Sequence, residues 1–421
     1  MVTMQFMCYI PSSSKIRFES RHMAMGLIIV GAALGMYMNF YFGNIGWNNI
    51  LMLGALLLLP NWKNLSSFRL PFVNRTFKAI LLFQLLCIIY MVIGGLIDIT
   101  LLIYLVFTIF MMMGIMSQNP SDMSIPKIVF YAWLFSWLCV AFCTTTLITG
   151  AFFIEYARLH DGSGYQSILI DLTMAGNIYT FIVCCLYYIK STKIKFILSI
   201  SGIIVGLILM IILGKRTPLL ISIISIFFYL FRFHPLSRKI NKKTLTFSII
   251  FCLLIIFALN ISDFGEKLMF VVERSVNGVF DMINGTSNTG AAAMERYKLR
   301  DWAFTYIEST FTPFNYLFGA GFMTKWLDAP LIQAYLDMGI IGFLVYLYYV
   351  IVKPLRITFS SLSRHRIVFW GCALNFYNIF SALNSGVPYA HLKWIPLIVL
   401  ILTINGLKND RNKILCQING K

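Results

Sequence analysis

Long apolar runs recur along the whole sequence, and they constrain the fold more than any other feature. Runs of roughly 18 to 20 apolar residues are each long enough to cross a hydrocarbon core of about 30 Å as an α-helix. Only 12% of the 421 residues are charged, against about a quarter in an ordinary soluble domain. The runs are continuous and do not alternate as the strands of a membrane barrel do. We therefore predict an all-α, polytopic membrane protein.

The runs predict about twelve transmembrane helices and one large outer loop. This gives N-terminal transmembrane helices in 1–261, a loop at 262–330 and C-terminal transmembrane helices with a tail in 331–421. A structureless loop of about 70 residues is improbable, so the loop should contain short helices, with Ala291–Ser309 as one candidate lying over the membrane surface. The predicted transmembrane helices are 24–43, 46–60, 77–97, 99–116, 128–149, 170–189, 195–213, 217–232, 244–261, 331–352, 366–384 and 391–407.

The formal charge of +18 follows from membrane topology. Threading the helices from a cytoplasmic N-terminus places 24 of the 34 Lys and Arg residues, but only three of the 16 Asp and Glu residues, on the inner side. Retention of Lys and Arg on the cytoplasmic face explains such a distribution. Both termini are therefore expected to be cytoplasmic, the 262–330 loop is expected outside, and a nucleic-acid partner is not supported.

Neither the cysteines nor the histidines have the spacing of a metal or disulfide site. The nine cysteines fall in apolar runs or in the tails, and no CxxC pair occurs. On the predicted outer side, His160 and His391 lack a second ligand at metal-binding spacing. No metal or other cofactor is expected.

Two adjacent cations, Lys215 and Arg216, break the charge distribution because they follow an apolar run on the outer side. Thr217 and Pro218 then predict the start of a helix, whose free N–H groups would point outward. Cations beside a helix N-terminus suit a phosphate or diphosphate group. The alternative is that both side chains extend to lipid headgroups.

A second cationic pair lies in the outer loop. Arg296 and Arg300 are four residues apart and share one face if the segment is helical. Glu295 and Asp301 are available to neutralise them, which would make an ordinary salt-bridged surface helix. Two separate cationic clusters on one side of the membrane, however, suit a doubly charged group such as a lipid diphosphate.

Two carboxylates flank the start of the helix predicted at 331–352. Asp328 is placed to cap that helix, or to act as a general base toward a sugar hydroxyl. Asp337 falls inside the helix and should face protein or a cavity, because a carboxylate is costly against lipid.

Three motifs in this order resemble the O-antigen polymerase and O-antigen ligase family of polytopic glycosyltransferases. The first is Gly214-Lys215-Arg216-Thr217 at a helix start, and the second is Arg300-Asp301-Trp302 followed by Gly319-Ala320-Gly321. The third is Asp328 followed by an apolar helix that runs from Tyr335 to Gly339-Ile340-Ile341-Gly342. The motifs cover about a third of the chain, roughly 210–345. Ligases of this family typically carry a His near 328–330, and its absence here favours a polymerase.

The resemblance implies a metal-independent enzyme of surface polysaccharide or lipopolysaccharide biosynthesis in a bacterial inner membrane. Such an enzyme transfers a growing glycan from undecaprenyl diphosphate to a lipid-linked repeat unit, and a chain-length regulator protein is a further expected partner. By this resemblance Arg216, Arg300 and Asp328 are the expected catalytic residues. The expected substrate-binding residues are Lys215, Arg296, Asp301 and Tyr335.

Three alternatives remain at this stage. An O-antigen ligase would use the same donor. A transporter or flippase of lipid-linked oligosaccharide would place ionisable residues or broken helices near the membrane midplane, whereas the charges here crowd the outer surface. A non-catalytic assembly subunit would not need the Lys215-Arg216 pair.

Overall fold

The computed structural model describes residues 20–42, 46–94, 98–120, 122–148, 168–212, 216–233 and 291–419, and within these ranges it contains helices and no β-strand. The α-helices are α1 (Ser20–Phe42), α2 (Trp47–Leu58), α3 (Trp62–Ser66), α4 (Arg75–Ile93), α5 (Ile99–Met116), α6 (Ile125–Ile148), α7 (Ile168–Tyr188), α8 (Lys193–Ile212), α9 (Arg216–Phe233), α10 (Ala291–Thr310), α11 (Pro313–Phe318), α12 (Pro330–Tyr346), α13 (Lys353–Phe359), α14 (Arg366–Asn384) and α15 (His391–Asn419).

Five helical segments in the described ranges are long and apolar enough to cross a membrane. They are Arg75–Ile93, Ile125–Thr144, Lys193–Met210, Pro330–Phe359 and His391–Lys408. Four shorter apolar helices accompany them, at Trp47–Leu58, Leu101–Met116, Gly176–Tyr188 and Pro218–Phe233. The chain is therefore a helical protein with membrane-spanning character.

Eleven of the twelve predicted membrane helices overlap an observed helix, while 244–261 lies outside the described residues. Two differ in form. The predicted 331–352 helix is interrupted: α12 changes into a π-helix at Leu347–Val352 and then continues as α13. The last helix extends beyond the predicted 407 to Asn419, through the polar tail.

α9 and α14 run antiparallel, and this fixes which ends of the bundle meet. Near the C-terminus of α9, Arg232 donates from Nε to Ser363 Oγ at 3.0 Å, just before α14 begins. The Phe228 and Phe369 rings stack at 5.9 Å between centroids. The N-terminus of α9 therefore lies at the same end of the bundle as the C-terminus of α14. We call this the Asp328 end, after the carboxylate described below.

A close backbone contact locks the loop after α11 into a break in α12. Gly339 has φ +61° and ψ −159°, which interrupts α12. The Ala320 N–H donates to the Leu336 carbonyl at 2.8 Å, in place of a regular helix bond. A Cβ added at Gly319 would lie 2.3 Å from the Asp337 backbone, and one at Gly339 would lie 2.4 Å from Leu317. Only glycines permit this approach and these positive φ angles.

A small apolar core joins α10 to the start of α12. Ala303 and Ile307 from α10 are buried with Leu336 of α12, and the Trp302 and Tyr306 rings stack at 5.0 Å beside them. The predicted helix at Ala291–Ser309 is thus confirmed. Trp302, Tyr306 and Ile307 pack on protein, while Phe304 on the same helix is exposed. This packing sets the position of α10 relative to Asp328.

Candidate functional site

Asp328 lies at the junction of three segments that are far apart in sequence. Its Oδ2 accepts a hydrogen bond from Arg296 Nε on α10 at 3.0 Å, as an ion pair. Its Oδ1 accepts the backbone N–H of Gly386, in the connection between α14 and α15. The residue itself has φ +51°, a left-handed conformation that Asp tolerates better than most side chains. One carboxylate therefore ties α10, the start of α12 and the α14–α15 connection together.

The predicted helix cap at Asp328 is wrong. The N-cap residue of α12 is Ala329, and no side chain caps it. Pro330 at the first helical position has no N–H to satisfy, which lowers the need for a cap. The Asp328 carboxylate is directed away from α12, toward Arg296 and Gly386. Of the two sequence interpretations, capping is excluded and the general-base role stays a prediction.

Arg300 lies one helical turn from Arg296 and reaches the end of α14. Its Nη2 donates to the Leu383 carbonyl at 3.1 Å, in the last turn of α14. Carbonyls there lack helix partners, and the helix dipole is negative at that end, so a cation is stabilised. Burial and the neighbouring charge of Arg296 lower the pKa of Arg300, and Asp328 opposes that shift. The two arginines thus occupy the same face of α10, as predicted.

Asp301 does not neutralise the arginines. It is exposed, and in the described ranges the partner of Arg296 is Asp328. The Glu295 side chain is not described. Tyr335, the other predicted substrate-binding residue, is half-buried and packs in the small core beneath α10, with its ring 6.1 Å from that of Phe311 and 5.9 Å from that of Phe343. The structure does not bring Asp301 or Tyr335 into the Arg296–Asp328 contact.

The predicted Lys215-Arg216 pair is only partly visible. Lys215 lies outside the described residues, and for Arg216 the backbone alone is described, as the first residue of α9. The helix thus begins one residue before the predicted Thr217. Because α9 and α14 are antiparallel, Arg216 lies at the Asp328 end. Arg216 therefore lies at the same end of the bundle as Arg296 and Arg300.

Asp337 is fully buried, as predicted, and is held by a hydrogen-bond network beside the break in α12. Gln333 Nε2 donates to Asp337 Oδ2 at 2.8 Å, and Tyr389 Oη donates to the same oxygen. Gln333 Oε1 in turn accepts the Leu327 backbone N–H at 2.9 Å. The network therefore links the residue before Asp328 to the α14–α15 connection.

Lys393 is the residue that sequence reasoning missed. In the described ranges, Lys393 and Asp337 are the buried members of the Lys, Arg, Asp and Glu types. Lys393 Nζ donates to the backbone carbonyl of Ser381 at 3.3 Å and to the Ser381 hydroxyl, again in the last turn of α14. Its signal in the sequence is a lysine three residues into an apolar helix on the side that otherwise has few basic residues.

His391 and the other candidate ligands do not gather into a metal centre in the described ranges. There, no group of three or more His, Cys, Asp or Glu side chains is close enough to hold an ion. His391 is buried against the rings of Tyr104 and Phe107, and His160 lies outside the described residues.

The chemical capacity of the site follows from its charges. Guanidinium groups bind and neutralise phosphate oxygens, while a carboxylate orients or deprotonates a hydroxyl. A carboxylate has about four lone-pair positions, and the Arg296 and Gly386 contacts use two of them.

No protein-family model matches the sequence, and no curated protein matches it significantly.

Proposed function

We propose that the chain is a surface-polysaccharide polymerase of the O-antigen type. It would transfer a growing glycan from undecaprenyl diphosphate to the sugar hydroxyl of a lipid-linked repeat unit, at the outer face of a bacterial inner membrane. The observation that carries this proposal is the meeting of Arg296, Arg300 and Asp328 at one end of an apolar helical bundle.

In the proposed reaction, the cations act on the leaving group. The bond between the anomeric carbon and the diphosphate oxygen breaks, and its electron pair goes to the diphosphate. Arg300, with Arg216 at the same end and Lys215 next to it in sequence, would stabilise that charge as it develops. The donor is already activated, so the proposal needs no nucleotide.

Asp328 would act on the acceptor. A lone pair of the carboxylate that neither Arg296 nor Gly386 uses accepts the hydroxyl proton as the acceptor oxygen bonds to the anomeric carbon. The ion pair with Arg296 fixes the position of the Asp328 carboxylate. The lipid tails would remain in the membrane beside the helices.

A transporter of lipid-linked oligosaccharide is the second candidate, and the break in α12 favours it. Discontinuous helices with ionisable groups mark the substrate sites of many carriers. At about 1.5 Å per residue, Gly339 lies about 13 Å along α12 from Pro330, close to half of a hydrocarbon core of about 30 Å. Asp337 is buried beside this break.

One assay separates the two candidates. The purified full chain in nanodiscs is incubated with lipid-diphosphate-linked repeat units, without nucleotide, and the products are separated on a gel. A polymerase makes a ladder, which Arg216→Ala and Arg300→Ala should abolish while the exposed Lys298→Ala retains it. Absence of a ladder, together with movement of intact substrate across proteoliposome membranes, would establish the transporter instead.

A further inference from the structure

Lys393 is buried among apolar helices without a carboxylate in ion-pair contact. Among the side chains that the structure describes, the ion pairs are Arg21–Asp122 and Arg296–Asp328, and Lys393 belongs to neither. Taking an ammonium group out of water is costly unless an opposite charge compensates it. The Ser381 carbonyl and hydroxyl supply dipoles but no charge. The protein therefore solvates the protonated form of Lys393 only in part, and a bound anion would favour that form.

The ammonium lies beside the Asp328 contact. Gly386, whose N–H donates to Asp328, also adjoins Lys393: a Cβ at Gly386 would lie 3.4 Å from Lys393 Cε and 3.8 Å from Nζ. The side chains of Lys393 and Asp328 are thus separated by the width of one backbone residue. Arg296 and Arg300 approach the same place from α10. Three cations therefore surround one carboxylate.

The charge balance indicates the class of ligand. With Lys393 protonated, the described side chains at this place carry three positive charges and one negative charge, a surplus of two. An ammonium has three N–H donors, and the two contacts with Ser381 leave the third for a ligand. A group with two negative charges and several oxygen acceptors fits this arrangement best, as a phosphoryl or diphosphate group does.

We infer that Lys393 is the third cation of an anion-binding site formed with Arg296 and Arg300, and that its ligand is a phosphoryl or diphosphate group on a lipid. The choice of a lipid carrier rests on the proposed function. Helix α14 holds the site together, because its last-turn carbonyls fix both Arg300 and Lys393 before the ligand arrives. The cost of holding both cations at this helix end is offset when the anion binds.

The test measures binding, with no glycosyl transfer involved. The full chain in phosphatidylcholine nanodiscs is titrated with farnesyl diphosphate, inorganic pyrophosphate and inorganic phosphate by calorimetry. Lys393→Met should weaken farnesyl diphosphate binding by about 10-fold or more, since a hydrogen bond to a charged group contributes about 1.5–3 kcal/mol. Lys393→Arg should stay within a few-fold of wild type, and Lys298→Met should match wild type.

Two results would overturn the inference: wild type that binds neither diphosphate, or Lys393→Met that binds as wild type does. If Lys393→Met does not fold, Lys393→Gln replaces it, because Gln keeps a donor for Ser381 without the charge. It should weaken diphosphate binding as Lys393→Met does, and wild-type binding by Lys393→Gln would overturn the inference. A further arm uses nanodiscs with phosphatidylglycerol. Competition by that lipid, lost in Lys393→Met, would support the anion site and identify a membrane phospholipid as its occupant.

The failures of the two proposals are distinguishable. Diphosphate binding that depends on Lys393, without any polymer, would support the anion site and contradict the polymerase. If the wild type makes a polymer ladder but Lys393→Met binds diphosphate normally, the polymerase is supported and the anion site at Lys393 is contradicted.

Discussion

The carboxylate of Asp328 accepts the backbone N–H of Gly386, although 58 residues separate the two in sequence. The same carboxylate pairs with Arg296, 32 residues earlier. Tyr389, three residues after Gly386, donates a hydrogen bond from its side-chain hydroxyl to Asp337. Two carboxylates, Asp328 before α12 and Asp337 within it, thus hold the short connection between α14 and α15 at both of its ends. That connection places Lys393 beside the arginines of α10.

The first prediction concerns the glycine contact between α11 and α12. Gly319→Ala and Gly339→Ala each place a methyl group about 2.3–2.4 Å from backbone atoms at a positive φ. We expect either change to lower the free energy of unfolding by more than about 2 kcal/mol, because neither backbone segment can move away alone. The measurement is thermal unfolding in detergent. Gly54→Ala is the matched control, because its added Cβ meets nothing within 4 Å; an equal effect there would contradict the account.

The second prediction concerns the coupling of Asp337 to Tyr389. Tyr389→Phe leaves the buried carboxylate without one of its donors and should cost about 1–3 kcal/mol of stability. The double variant Asp337→Asn/Tyr389→Phe should lose less free energy of unfolding than the sum of the losses in the two single variants. A thermal-unfolding double-mutant cycle measures this difference. Fully additive effects would mean that the two groups do not interact. Tyr348→Phe is the control, because this tyrosine is exposed and its substitution should leave the stability unchanged.

The third prediction distinguishes a guanidinium from a simple positive charge at position 300. Arg300 reaches the Leu383 carbonyl from one nitrogen, and a planar fork can hold a phosphate at the same time. We expect Arg300→Lys to retain the fold but to lower polymer formation by about 10-fold or more. Although burial lowers its pKa, Arg300 starts so far above neutrality that the loss should not depend on pH between about 6 and 9. Full activity of Arg300→Lys would show that charge alone suffices.

The helices were predictable from the sequence because hydropathy over a window of about 20 residues reports the membrane environment directly. The break at Gly339 was not, since glycine in an apolar run has no hydropathy signal and the break depends on Gly319, 20 residues earlier. The two arginines of α10 were predictable from their spacing. Of the two sequence interpretations of Asp328, capping was wrong because its carboxylate binds Arg296 and Gly386, which come from other segments. Lys393 was missed for the same reason: its significance appears only when α14 and Asp328 are beside it.

The most direct test of the proposed chemistry is Asp328→Asn in the nanodisc polymerisation assay. Asn tolerates the left-handed conformation of this position, and its oxygen can still accept the Gly386 N–H, so the fold should be kept while the charge is lost. Removing a general base typically slows a reaction by about 10²–10⁴-fold. We predict a polymer ladder from wild type and from Lys298→Ala. Asp328→Asn should give almost none while remaining folded, with only the modest loss of thermal stability that follows from losing the ion pair with Arg296. A ladder of normal length and rate from folded Asp328→Asn would contradict the assignment of Asp328 as the base.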